Sequence, residues 1–448
     1  MVDIKNPAVK ELLLELGYRN DDVQEILDEL DNLLIEIDFE HMRESAVMSI
    51  EHQDPGGLSS SLTSIMQSLE AKGYYRPDAP VKLLMLLVNG LNTKREDIFS
   101  VIDNSRMSMA EKDVEKEMLA SCAAITQLGY IFLRLLSLDT LAASGGRHVF
   151  TLIDGFSPGT KIFVDFSIDS IREIDVESAY ERRDGFHFLK SKDEVSTMDE
   201  ETYRFVSEYY SFFHVTRGIG LAHIIHDNLG IAYSKTGRYD DAMEELDCAL
   251  RLVPGYPEAH NNLAVVYWRM GRLDEAEAEL AKAIALNPGY AEAKSNLACV
   301  FAERGMPERA LAELADALRL KPGYAEAHRN LGIVLASMER YDDAIREFGE
   351  SIQLDPSGAQ SHYELGQVYF GLGRYAEAGR EFEAAIGTDP EFAKAFQSAG
   401  FVYLELGEKD RAIHAWITAA GLDPALIDSV PDSLRLRVWQ GIRRSRRS

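Results

Sequence analysis

The chain has 448 residues, 46% of them hydrophobic and 27% charged, with a formal net charge of -27 and a pI near 4.8. That length exceeds one compact domain and predicts two units or a repeat array. The acidic balance lacks the basic surface that phosphate neutralisation needs, so it disfavours nucleic acid as a partner. No apolar run is long enough to cross a bilayer, the longest, "YIFLRLLSL", being interrupted by Arg134.

The N-terminus "MVDIKNPAVKELL" has acidic residues and no apolar signal core, which predicts a cytoplasmic protein. Residues 1–107 read as helix after helix, in segments such as "DDVQEILDELDNLLIEI" and "LSSSLTSIMQSLEAKG" broken by "QDPGG" and "GYYRPDAP". From 108 to 197 the pattern changes. Ser108 and Glu111, in capping-box spacing, open a helix that carries Cys122. Next, "RHVFTLID" and "TKIFVDFSI" alternate like strands about the turn-forming "GFSPG". Residues 198–222 are expected to form a linking helix. Cys122, Cys248 and Cys299 lie far apart with no CxxC, which argues against a disulfide framework or a zinc ribbon.

A cysteine at the start of an apolar helix, a strand opening His-Val and a strand ending Val-Asp resemble the transglutaminase-like branch of the papain-type fold. The resemblance implies a small α+β core in which Cys122 is the nucleophile, His148 its general base and Asp165 the group that orients the imidazole. It requires residue 148 opposite 165 in a hairpin, with 154 opposite 159 and a loop over 155–158. The local string "LASCAAITQ" lacks the glycine that active relatives often carry before the cysteine. Two readings stay open: thiol acyl transfer or peptide hydrolysis, and a degenerate domain in which Cys122 is a small packed side chain.

From residue 223 the chain repeats with a period of 34, and each repeat sets Leu before a small residue: Leu229-Gly230, Leu263-Ala264, Leu297-Ala298, Leu331-Gly332 and Leu365-Gly366, with Ala399-Gly400 as a variant. Alanine recurs at 242, 276, 310, 344, 378 and 412, and proline at 254, 288, 322, 356, 390 and 424. Each unit holds two amphipathic segments joined by a short turn, hence a helical hairpin whose small residues permit close approach and whose proline stops the second helix. These motifs resemble the tetratricopeptide repeat, in six copies over 223–426. The predicted fold is mainly α, a right-handed helical solenoid preceded by the helical and α+β region. Over 427–448, Leu434, Val438 and Ile442 predict a capping helix, followed by a basic tail that could meet an acidic surface.

In such arrays the first helices line the binding groove, so the expected partner is a protein or extended peptide. Asn228, Asn262, Asn296 and Asn330 stand before the Leu in four units, where side-chain amides suit a peptide backbone, an arrangement similar to that of the O-linked N-acetylglucosamine transferase family. Asparagine at this position also serves helix–helix contacts. Glu364 and Ser398 end the row. Trp268, Phe370 and Phe401 are candidate apolar groove positions, or core. His226, His260, His328 and His362 share one repeat position and read as packing elements; no metal or cofactor is predicted.

Overall fold

The computed structural model describes residues 222–445 without a break. Before them it describes 18–36, 39–51, 55–72, 140–145, 148–154, 160–165, 170–183, 186–190 and 212–216, with isolated residues between. The chain divides into two compact units, Met1–Val266 and Tyr267–Ser448.

The first unit begins with α1 (Asn20–Glu36), α2 (Phe39–Glu51) and α3 (Pro55–Ala71). Val23, Ile26, Leu30 and Leu33 in α1, and Leu58, Leu62, Ile65 and Leu69 in α3, recur at three- and four-residue spacing and are buried. Pro55, within the expected break "QDPGG", opens α3 instead: a proline in the first turn gives up an N–H that has no helical partner anyway.

A seven-stranded sheet follows: β1 (Thr140–Gly145), β2 (His148–Asp154), β3 (Thr160–Asp165), β4 (Ser170–Asp175), β5 (Tyr180–Arg183), β6 (Phe186–Leu189) and β7 (Phe212–Thr216). The spatial order is β4-β3-β2-β1-β7-β6-β5, with every described pairing antiparallel. Between β4 and β5 lies the one-turn α4 (Val176–Ala179), where Asp175 accepts a hydrogen bond from the Ser178 backbone N–H at 3.1 Å. Phe163 is fully buried and stacks near Tyr180, with ring centroids 6.5 Å apart.

Two expectations are corrected here. The β2–β3 register sets Asp154 opposite Lys161 and Leu152 opposite Phe163, not 154 opposite 159. This offset of two residues pairs opposite charges and apolar residues across the strands, whereas the expected one would have faced Leu152 with Lys161. The linking helix expected over 198–222 is interrupted by β7, whose run Phe-Phe-His-Val-Thr favours a pleated surface and pairs with both β1 and β6. Its partners are distant in sequence, and so a local pattern did not disclose them.

Helix pairs follow. α5 (Ala222–Lys235), α6 (Tyr239–Leu252) and the start of α7 (Pro257–Arg269) close the first unit. The second holds the rest of α7, then α8 (Leu273–Leu286), α9 (Ala291–Glu303), α10 (Pro307–Leu320), α11 (Ala325–Ser337), α12 (Tyr341–Leu354), α13 (Ala359–Gly371), α14 (Tyr375–Thr388), α15 (Ala393–Glu405) and α16 (Lys409–Leu422). A 3-10 turn (Pro424–Ser429) leads to α17 (Asp432–Ser445).

The recurring alanines 242, 276, 310, 344, 378 and 412 are all fully buried. Size is matched across each hairpin. A Cβ added to Gly332 would come within 2.7 Å of the Phe348 ring, and one on Gly366 within 2.7 Å of Phe382. Where the small residue is Ala298, the residue sixteen further on is the buried Leu314. At the last hairpin, Leu434 and Val438 of α17 join the cluster of Phe382, Val402 and Trp416, with Ile442 packed against it.

Hairpin turns repeat too. Arg238, Arg272 and Arg374 lie over Tyr233, Tyr267 and Tyr369 at 4.6, 4.5 and 4.4 Å and pair with Asp241, Glu275 and Glu377. Five of these turns place glycine at positive φ; the fourth repeat uses Glu339, at φ 61°.

Candidate functional site

Of the proposed triad, Cys122 lies outside the described residues. His148 opens β2 and Asp165 closes β3. The observed register leaves these two positions two residues out of step, not opposite, although an even offset preserves their parity on the ladder.

The asparagine row lies on the first helices α5, α7, α9 and α11, with Asn228 and Asn330 buried and Asn262 and Asn296 half-buried. Two of its amides bridge successive repeats. Asn262 Nδ2 donates to Asp227 Oδ1 at 2.9 Å, and Asn330 Nδ2 donates to Ser295 Oγ at 3.0 Å. Each therefore bonds the residue that precedes the previous repeat's asparagine. This geometry ties neighbouring first helices together, and each Oδ1 is also engaged, that of Asn262 accepting from Asn261 Nδ2 at 3.3 Å and that of Asn330 from Arg329 at 3.4 Å.

At the first of these bridges the acceptor is a carboxyl. Asp227 is 4% exposed, and burial pushes its pKa up to about 7, with the Asn262 hydrogen bond opposing the rise. The shared histidine position is a polar tether between the helices of a hairpin. Nδ1 of His226, His328 and His362 lies 2.6, 2.8 and 2.8 Å from Glu245, Glu347 and Glu381. Lys294 fills the same position opposite Glu313 at 3.4 Å, while the last repeat carries Phe396 there. His260 contacts the Pro254 carbonyl at 3.2 Å. Among the described residues, no group of three His, Cys, Asp or Glu side chains could hold a metal ion. Burial raises the thiol pKa of Cys248, and of Cys299 to about 12, which opposes nucleophilic use of either.

The aromatic candidates divide unevenly. Phe370 packs against Tyr375 at 5.5 Å and Phe401 against Trp416 at 5.3 Å, both within the terminal core, while Trp268 is half-buried on α7. Sequence reasoning missed the opening between the first helices of repeats four and five. There α11 and α13 flank a cleft of about 240 Å³, with Ile333 39% exposed on one wall and Glu364 and Gln367 on the other. Its signal in sequence is a size change between adjacent repeats: the fourth carries Leu335-Ala336 where the fifth has Tyr369-Phe370, although the third carries Phe301-Ala302.

Three arginines of the basic end are engaged by their own chain. Arg435 pairs with Asp432 and donates to the Asp428 and Val430 carbonyls, Arg437 pairs with Asp410, and Arg443 lies 4.0 Å above the Trp439 ring. Among the described residues, no helix is long and apolar enough to cross a membrane.

Paired helices at this period, with small residues at the close contacts, agree with comparison against known families. Profiles of the tetratricopeptide repeat match residues 233–299, 295–359, 334–391 and 363–427. Residues 233–427 are tetratricopeptide repeats. No curated protein sequence matches the chain. Solved structures similar to it include MamA, at 26% identity over 36% of this chain and 95% of that one, with a TM-score of 0.32. A thermophilic tetratricopeptide-repeat protein of Thermus thermophilus is 25% identical over 41% of this chain and 99% of that one, with a TM-score of 0.39. YrrB, described as having an unusual peptide-binding site, is 22% identical over 44% of this chain and 97% of that one, with a TM-score of 0.31. The family matches begin at residue 233, so the tetratricopeptide assignment does not extend to the β-sheet.

Proposed function

We propose that the repeats bind an extended segment of a partner protein on the face of their first helices, and that the chain serves as an adaptor without chemistry of its own. The cleft between α11 and α13 carries this reading: the repeat packing that fills every hairpin interior leaves apolar surface of Ile333 open beside polar Glu364 and Gln367. Apolar walls with a few polar groups at the rim suit side chains projecting alternately from an extended peptide. The tetratricopeptide assignment supports the reading. The adaptor role rests on the same repeats, since the resemblance that suggested thiol chemistry gains no support from the family matches or from the β2–β3 register.

Selection of degenerate peptides on the full chain tests it. Enriched peptides should compete with one another, and Ile333→Asp, at a solvent-facing position, should weaken them while leaving the thermal melt unchanged. Failure to enrich any peptide ends the reading.

A further inference from the structure

The cleft between the fourth and fifth repeats has a chemistry of its own. Its walls are Ile333, Ala336, Phe348 and Val368, and its polar rim is Glu364 and Gln367. At about 240 Å³ it is smaller than the roughly 300–1,000 Å³ typical of small-molecule sites, and it matches a single long side chain. Ala336 lines it where the following repeat places the bulky Phe370, while the preceding repeat carries Ala302 at the same position.

Glu364 gives the cleft its sign. It stands at the repeat position occupied elsewhere by Asn228, Asn262, Asn296 and Asn330, and by Ser398 in the last unit, so it is the sole carboxylate of the row. Its Oε1 accepts from Gln360 Nε2 at 2.8 Å, and among the described residues no Lys, Arg or His forms an ion pair with it. The Gln367 amide donates to the Tyr363 hydroxyl at 2.8 Å, which leaves the Gln367 carbonyl as a second acceptor at the rim. An apolar channel ending in one carboxylate and one carbonyl is complementary to a hydrocarbon stem with a cationic head. The chain's net charge of -27 adds long-range attraction for such a ligand.

We propose that this cleft is a specificity pocket for a lysine or arginine side chain of the bound segment, its stem between Ile333 and Val368 and its cation on Glu364. The proposal rests on the peptide-binding reading and adds to it the class of residue the partner must present.

The selected peptides decide it. One position should be enriched in Lys or Arg. In fluorescence anisotropy, an enriched peptide should lose about tenfold or more in affinity for Glu364→Gln, in line with losing a hydrogen bond to a charged group. Replacing its basic residue by norleucine should erase the difference between wild type and Glu364→Gln. Ala336→Phe, which copies the fifth repeat and so keeps a residue the hairpin accommodates, should fill the cleft and weaken the same peptide. Enriched peptides with no basic preference, or with affinity unmoved by Glu364→Gln, overturn the pocket and leave the peptide reading intact. The absence of any enriched peptide overturns both.

Discussion

The helical repeats and the β-sheet solve the same problem in different ways, and the contrast shows where sequence information resides. In the repeats, each close contact lies within one hairpin or between adjacent ones: Gly332 lies against Phe348, and Asn330 reaches Ser295 of the preceding repeat. The sheet instead assembles β1, β7 and β6 side by side from residues 140–145, 212–216 and 186–189. Local pairing is restated every 34 residues, but strand order is stated once, by contacts distant along the chain.

A proline at Val215 puts this contrast under the greatest strain. The Cα of Val215 pairs with Ala143, and β7 lies inside the sheet between β1 and β6, so the substitution removes a ladder N–H from an interior strand. Val215→Pro should cost about 3 kcal/mol or more in the first unfolding transition seen by chemical denaturation. A neutral result would mean that β7 does not belong to the sheet.

The next test concerns a repeat junction that departs from its siblings by carrying a buried carboxyl. The folded pKa of Asp227, about 7, lies above the ordinary carboxylate value near 4, so the folded state holds the proton more tightly than the unfolded chain. Its contribution is fully present below about pH 4, falls as pH rises toward 7 and then levels off. Asp227→Asn should remove on the order of 3 kcal/mol of that slope, read as the difference in urea midpoint between pH 5 and pH 8. An unaltered slope would show that the carboxyl titrates as an exposed one.

The smallest effect tests size matching within a hairpin. Gly332→Ala forces the Phe348 ring to shift and should cost about 2 kcal/mol. Combining it with Phe348→Leu, which reproduces the Ala298 and Leu314 combination of the preceding repeat, should recover much of the loss. Strict additivity in this double-mutant cycle would deny that the two positions are matched.

The helical hairpins, their turns and the capping helix were legible in the sequence because Leu229, Ala242 and Pro254 and their counterparts recur in register. Two strands, β2 and β3, were legible from alternation, but β1 and β7 were not, since "TLAASG" and "FFHVT" carry no local mark of the strands they meet. The asparagine row was legible as a pattern and ambiguous as a function. Nothing in its spacing shows that Asn262 and Asn330 direct an amide at the preceding repeat.

By itself, then, the sequence determined that residues 223–426 form helical hairpins of fixed period, because small residues and stops at regular spacing admit little else. Only the tertiary structure decided the sheet order, the two-residue shift between β2 and β3, and the cleft where Ala336 faces Glu364. All three depend on distances between residues of different elements, which a linear pattern constrains only after the elements have packed.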